Sequence, residues 1–202
     1  MNTRAANDET REVLDRMQKT QMTMMASKLA PANESIAQIS QRNITQEQVQ
    51  EEINLCKMYE EDLQALVTQL RRNRTISVSQ PPNYAWTTVT KRTNRDEVQH
   101  SSSCIIAEQI MSAYREAALH SLLGCKQNHL GKYVDSCASF SAAGSTLRSM
   151  KHLHRSWKFK HEHADAISQQ DFHPQTAEAL AYLCSAAIDF NKMKANQNEQ
   201  NP

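Results

Sequence analysis

The chain has 202 residues, with 23 lysines and arginines against 22 aspartates and glutamates, and a formal net charge of +1. Because the charges balance, nucleic acid or an anionic membrane could be bound only through a local patch. Hydrophobic residues make up 39% of the chain, aromatic residues 5%, and glycine occurs three times. Straight-chain residues lose little rotamer freedom in a helix, whereas sheets draw on aromatic and β-branched residues. We therefore expect an all-α protein.

The distribution of apolar residues disfavours both secretion and a membrane span. A run of about 18 apolar residues is absent, and residues 1–29 lack a continuous apolar segment. Five cysteines are scattered along the chain with no C-x-x-C pair. Such a pattern is typical of reduced thiols in the cytosol or nucleus. The sequence thus predicts a cytoplasmic or nuclear protein.

Residues 1–73 are predicted to form a helical arm. A first helix covers residues 9–29 and ends before Pro31, since proline cannot sit in a helix interior. A second helix begins at Thr45, where Thr45 and Gln48 have capping-box spacing. The apolar residues that follow alternate in steps of four and three, which is the spacing of a heptad seam. This seam consists of Val49, Ile53, Cys56, Leu63, Val67 and Leu70.

Glu60 interrupts the seam at one core position and leaves two interpretations open. In the first, the helix pairs as a coiled coil with a second copy or with another protein, and Glu60 sets the register. In the second, this is an amphipathic bundle helix whose apolar stripe shifts to Tyr59. A coiled-coil helix or helical hairpin is the predicted fold of the arm.

Residues 74–103 are predicted to be a linker, because Ser, Thr, Asn, Gln and two adjacent prolines replace the helical pattern. Tyr84 and Trp86 interrupt its polarity. They form a candidate aromatic anchor for a partner, since aromatic side chains bury a large area at low entropic cost. The alternative is that Trp86 packs back onto this protein's own helices.

Residues 104–195 are predicted to form a small three-helix bundle. Its first helix starts near Cys104 and ends before Gly124 or Gly131, the natural C-cap residues. Its second runs from Tyr133 to about residue 164. Its third has Pro174 as first residue and ends near residue 194. The polar tail, 196–202, is expected to be disordered.

A basic face is the most unusual feature of the second bundle helix. On a continuous helix it gathers Arg148, Lys151, His152, Arg155 and Lys158. Such a face could contact phosphates, or it could be a solvated cationic surface. The histidines from 152 to 163, together with Asp165, raise metal binding as a hypothesis, and the histidines from 152 to 173 raise acid sensing. His161 and His163 point about 200° apart on a helix, which argues against a shared ion. We expect no metal and no cofactor.

The sequence therefore favours a non-enzymatic protein. It contains no nucleophile elbow, phosphate-binding glycine loop, dinucleotide fingerprint or zinc-protease motif. The leading hypothesis is an interaction or assembly subunit that uses the coiled-coil arm and the bundle, in a homo- or hetero-oligomer. The alternative is a nucleic-acid-binding or packaging protein that uses the basic face.

Overall fold

The computed structural model describes residues 3–26, 44–72, 84–87, 99–102, 104–160 and 173–200. Its elements, in chain order, are α1 (Thr3–Ala26), α2 (Gln46–Arg72), β1 (Tyr84–Thr87), β2 (Gln99–Ser102), α3 (Ile105–His129), α4 (Tyr133–Ser149), α5 (Lys151–Lys160) and α6 (Pro174–Gln200). The predicted all-α class is confirmed. Of the predicted linker, β1 and β2 form a short antiparallel ribbon in which Trp86 pairs with His100, and the other residues from 73 to 103 lie outside the described part.

Successive long helices pack antiparallel, as the side-chain contacts show. Between α1 and α2, Arg16 bonds to Asp62 and Met24 meets Cys56. Between α2 and α3, Glu52 meets Arg115 and Tyr59 meets Glu108. In each pair of helices, the residue number rises along one helix as the number of its contact partner falls along the other, which is antiparallel packing. The same holds for α3 with α4 and for α4 with α6, so the three-helix arrangement predicted for the C-terminal half is present.

Two clusters of buried apolar side chains make up the core of the described chain. The first joins α1, α2 and the C-terminal half of α3, where Leu119, Leu122 and Leu123 lie. The second joins the N-terminal half of α3 with α4 and α6, around Ile110 and Met150. Helix α3 contributes to both clusters. The predicted helical arm therefore shares a core with the first helix of the bundle.

The ends of the helices follow the capping chemistry of the sequence. The Thr45 backbone N–H donates to Gln48 Oε1 at 2.9 Å, and the Gln48 N–H donates to Thr45 Oγ1 at 3.2 Å, which is the predicted capping box. Helix α3 ends in a Schellman motif: Gly131 has φ +72°, and the Lys132 N–H donates to the Gln127 carbonyl. Of the two glycines predicted as its terminus, Gly131 is the correct one.

The second bundle helix was predicted to be continuous from Tyr133 to about residue 164, and this is wrong at Met150. There the Met150 N–H bonds to the Leu147 carbonyl, three residues back. The Ser149 hydroxyl donates to the Thr146 carbonyl at 2.7 Å, and His152 Nδ1 lies 2.6 Å from the Ser149 carbonyl. These side chains occupy carbonyls that a continuous helix would use, so α4 ends and α5 begins.

The C-terminal tail also differs from its prediction. Helix α6 begins at Pro174 as expected but continues to Gln200, so residues 196–200 are helical rather than disordered. The segment 194–200 contains neither glycine nor proline. Nothing in its sequence stops a helix that the core has already nucleated, because propagation costs far less than nucleation.

Candidate interaction surfaces

The seam predicted on α2 is a buried face of this chain's own core. Val49, Ile53, Cys56 and Leu63 have no exposed side-chain surface, and Val67 retains 8%. The first four pack in one cluster with side chains of α1 and α3. The heptad spacing thus marks a helix–helix contact, as predicted. The hypothesis that this face pairs with a second chain is not supported, because the same polypeptide already fills it.

Tyr59, and not Glu60, completes the buried stripe of α2. The Tyr59 side chain is 2% exposed, and its hydroxyl donates to Glu108 Oε1 at 2.6 Å. Glu60 lies one residue further round the helix, half buried, and accepts a hydrogen bond from Ser112 Oγ at 3.3 Å. The second of the two sequence interpretations, the shift of the stripe to Tyr59, is the one that the structure bears out.

Carboxylates run along the α2–α3 contact and differ in their electrostatics. Glu52 is buried and pairs with Arg115 at 3.1 Å, and Arg115 also donates to the Met24 carbonyl. Burial, and then the carboxylate of Glu116, raise the pKa of Glu60 to about 7. The pKa of Glu116 is lowered instead, chiefly by its hydrogen bond from His120. These carboxylates link α2 and α3, and the side chains that pair with them belong to the same chain.

Three of the five cysteines are buried thiols that are not activated as nucleophiles. Burial raises the pKa of the Cys56 thiol to about 11 and raises the pKa values of Cys125 and Cys184 as well. A thiol with a raised pKa is protonated near neutral pH and reacts slowly. Within the described ranges, no three His, Cys, Asp or Glu side chains are grouped in a way that could hold a metal ion.

The break at Met150 divides the basic face between two helices. Arg148 lies at the end of α4, whereas Lys151, His152, Arg155 and Lys158 lie on α5. The first four are exposed, and the side chain of Lys158 lies outside the described residues. Arg148 donates to Ser185 Oγ on α6 at 2.8 Å, and His152 meets the Ser149 carbonyl. Two of the predicted phosphate contacts therefore already have partners within the protein.

Other predicted sites fall partly outside the described residues. Tyr84 and Trp86 lie on β1, but their side-chain surroundings are not described, so the anchor hypothesis stays a prediction. His161 and His163 also lie outside. His154 is buried at 3% exposure and its ring meets Tyr114 edge-on, with centroids 6.5 Å apart. His154 is accordingly a core residue.

Helix α6 carries two apolar faces. Its inward face packs on α3 and α4 and consists of Ala177, Leu180, Ala181, Cys184 and Ile188. Gly144 on α4 faces them closely, since a Cβ added to it would lie 3.4 Å from the Cys184 Cβ. Small side chains on both helices permit this close crossing.

The second face of α6 is exposed, and we call it the outward stripe: Ala179, Leu183, Ala186, Phe190 and Met193. Leu183 is 66% exposed, Phe190 51% and Met193 62%. The residues alternate in steps of four and three over two heptads, which is the spacing of a coiled-coil seam. Tyr182 at its border is 64% exposed. Here an apolar heptad face remains uncovered by any described part of the chain.

Charged residues border the outward stripe on both sides. Asp189 is exposed on the same border as Tyr182, and Lys194 lies on the border nearest the core. The Lys194 ammonium lies 5.7 Å from the centre of the Phe190 ring, a cation–π contact that covers part of that ring. The stripe thus has one acidic residue on one border and one basic residue on the other.

A buried polar network holds α6 in this orientation. Asn191 is fully buried; it accepts a hydrogen bond from Asn128 Nδ2 on α3 and donates to Ser136 Oγ on α4 at 2.9 Å. The Ser136 hydroxyl in turn donates to the Gly124 carbonyl at 2.7 Å. Turning α6 would leave these groups without partners in the core, which is costly. The network therefore fixes which apolar face points outward.

The outward stripe was not predicted from the sequence. The apolar residues of the inward face already satisfied the pattern of a bundle helix, and the second set was not separated from them. The signal was present in the alternating spacing from Ala179 to Met193, which matches a heptad as well as the α2 seam does.

No family model, no curated protein and no solved structure matches this chain. Among the described helices, none combines the length and the apolar character that a membrane-spanning segment requires.

Proposed function

We propose that this protein is a non-enzymatic interaction or assembly subunit that binds another polypeptide through the outward stripe of α6. The observation that carries the proposal is the contrast between the two heptad faces. The α2 seam is buried by the chain itself, whereas the α6 stripe exposes Leu183, Phe190 and Met193 at the same spacing. The binding element thus belongs to the C-terminal half and not to the arm.

The free energy available from burying the exposed apolar side chains of the stripe supports this proposal. Single exposed apolar residues are common on protein surfaces, but a contiguous apolar face is typical of a binding site. Burying a large apolar side chain completely contributes about 1.5–3 kcal/mol. Burial of Leu183, Phe190 and Met193 against a partner helix would therefore contribute substantially to the free energy of binding. Asn191 and its partners keep the stripe outward and so preorganise it for binding.

Site-specific photocrosslinking in the source cells tests the proposal. Phe190 is replaced by p-benzoylphenylalanine, which preserves an aromatic ring at the stripe, and irradiation is followed by denaturing electrophoresis. We expect a discrete adduct with a second polypeptide. Adding Leu183→Asp to the same chain should abolish the adduct, because a buried unpaired carboxylate disfavours binding.

Val134 provides the matched control. Its side chain is 77% exposed on α4, a different helix from the one that carries the stripe, and it accepts the same photoreactive residue. Position 134 should give no discrete adduct. Equal adducts at positions 134 and 190, or none at position 190, would contradict the proposal.

A further inference from the structure

We infer that the partner of the outward stripe is a second copy of this chain, with the two α6 helices side by side and parallel. This inference rests on the proposed function and adds the identity of the partner. The arrangement is a two-fold dimer in which Leu183 and Phe190 occupy a positions, and Ala179, Ala186 and Met193 occupy d positions. Two-fold dimers are the commonest closed oligomers, and each copy contributes the same surface.

The spacing of the stripe is self-complementary in this arrangement. In a parallel pair, a meets a and d meets d, so Leu183 meets Leu183 and Met193 meets Met193 of the second copy. Ala179 and Ala186 contribute small d layers that let the helix axes approach. The contact spans about two heptads of a helix that its own core already holds folded, so pairing does not have to nucleate it.

The charges on the two borders favour the second copy over an unrelated apolar partner. Asp189 lies at a g position, and Lys194 lies at the e position of the next heptad. In a parallel coiled coil, a g residue faces the e residue five positions later on the other helix. Asp189 of each copy therefore meets Lys194 of the other, and symmetry gives two such pairs.

The charges also select the parallel over the antiparallel orientation. Antiparallel pairing sets g against g, which brings Asp189 to Tyr182. It also sets e against e, which brings Lys194 toward the N-terminal end of the second copy's α6, the positive end of that helix dipole. Only the parallel pair gives both charges an opposite partner.

Analytical ultracentrifugation of the purified full chain over a concentration series tests the inference. We expect a dimer with Kd in the micromolar range. Leu183→Asp combined with Phe190→Asp should weaken dimerisation by at least about 100-fold, because four large side chains leave the contact. Val134→Asp should change Kd by less than about twofold. A chain that stays monomeric throughout, or a Leu183/Phe190 variant that dimerises normally, would overturn the inference.

Charge reversal tests the parallel pairing. Asp189→Lys sets two like-charged pairs across the contact and should weaken dimerisation about three- to tenfold. Adding Lys194→Asp restores opposite charges and should return Kd to within about twofold of the native chain. Glu178→Lys is the control, because Glu178 is exposed on the same helix but lies at a c position, outside the a, d, e and g positions that form the contact. A double variant as weak as Asp189→Lys alone would overturn the parallel dimer.

The crosslinking and dimerisation experiments distinguish an error in the proposed function from an error in the inferred partner. A monomeric purified chain that still crosslinks from position 190 to a different polypeptide in cells would leave the proposed function standing and overturn the second copy as partner. A chain that neither dimerises nor crosslinks would overturn both.

Discussion

Glu60 is a carboxyl group that the fold holds in an unfavourable place. Burial and the neighbouring Glu116 raise its pKa from 4.5 to about 7, although Ser112 donates a hydrogen bond to it. A carboxyl whose pKa is raised by folding binds its proton more tightly in the folded state. The folded state is therefore favoured at low pH, and this contribution is lost as the pH rises through about 7.

Glu60→Gln should remove this pH dependence, because glutamine keeps an oxygen for Ser112 and carries no charge. At pH 8 we expect the variant to be more stable than the native chain by about 1 kcal/mol, a value reduced for the solvent that reaches this half-exposed group. At pH 5, where the Glu60 carboxyl of the folded chain is protonated, most of this difference should be gone. Urea unfolding at both values measures the difference.

Glu61 is the matched control for this substitution, since it is the next residue and is exposed. Glu61→Gln reports the effect of replacing glutamate by glutamine at an exposed position, and it is measured at the same two pH values. A Glu60→Gln variant whose stability relative to the native chain does not change between the two would show that the carboxyl is not protonated in the folded state at pH 5 to 7.

At the scale of the element, α6 poses the question of how a helix with two apolar faces selects one for the core. Side-chain size supplies part of the answer, because Ala177, Ala181 and Cys184 permit the close crossing at Gly144. The larger Leu183 and Phe190 could not fit there without overpacking. Asn191 supplies the rest through its partners on α3 and α4.

Asn191→Leu should therefore cost stability although it adds an apolar group of similar size to the core. Asn128 and Ser136 lose a partner, and we expect a loss of about 1–3 kcal/mol in the free energy of unfolding. Asn196→Leu, an exposed change on the same helix, should change it by less than about 0.5 kcal/mol. Chemical denaturation of both variants measures the contrast, and equal effects would remove the role given to the network.

Leu63 tests whether the α2 seam belongs to the chain's own core. Leu63→Ala removes a fully buried side chain from an intramolecular core, so it should destabilise the folded chain by about 2–5 kcal/mol. Thermal unfolding followed by circular dichroism should show the same drop in Tm at every protein concentration. A drop that grows on dilution, together with a change in oligomeric state, would instead restore α2 as an intermolecular seam.

The elements could be predicted from the sequence to different depths. The capping box at Thr45 and the first residue Pro174 depend on local chemistry and were predicted correctly, and Gly131 was one of the two predicted glycine termini. The partner of a heptad face could not be predicted, because an a/d stripe has the same spacing whether it packs against its own chain or against another chain. The break at Met150 depends on side chains that compete for carbonyls, which helical periodicity does not reveal.

At the scale of the whole molecule, α3 is the helix on which both cores depend. Its Leu119, Leu122 and Leu123 pack with α1 and α2, whereas its Ile106 and Ile110 pack with α4 and α6. A helix that contributes to two clusters couples their stabilities, because unfolding of α3 removes packing contacts from both. The described chain should thus unfold as one cooperative unit.

Ile110→Ala tests that coupling. Ile110 is fully buried in the second cluster, and its truncation should cost about 2–5 kcal/mol. Hydrogen exchange measured by mass spectrometry should show faster exchange in α1 and α2 as well as in α4 and α6. Faster exchange confined to α4 and α6 would show that the two clusters unfold independently.

The shared position of α3 also sets an order of events during synthesis. Chains generally fold from the N-terminus as they leave the ribosome. The cluster of α1, α2 and α3 is complete once Leu123 has emerged, whereas Ile106 and Ile110 wait for Ala177, Ala181 and Cys184 to be translated. In that interval the nascent chain has one complete core, and the second apolar face of α3 is exposed to solvent. This is the stage at which we expect chaperone binding to matter most.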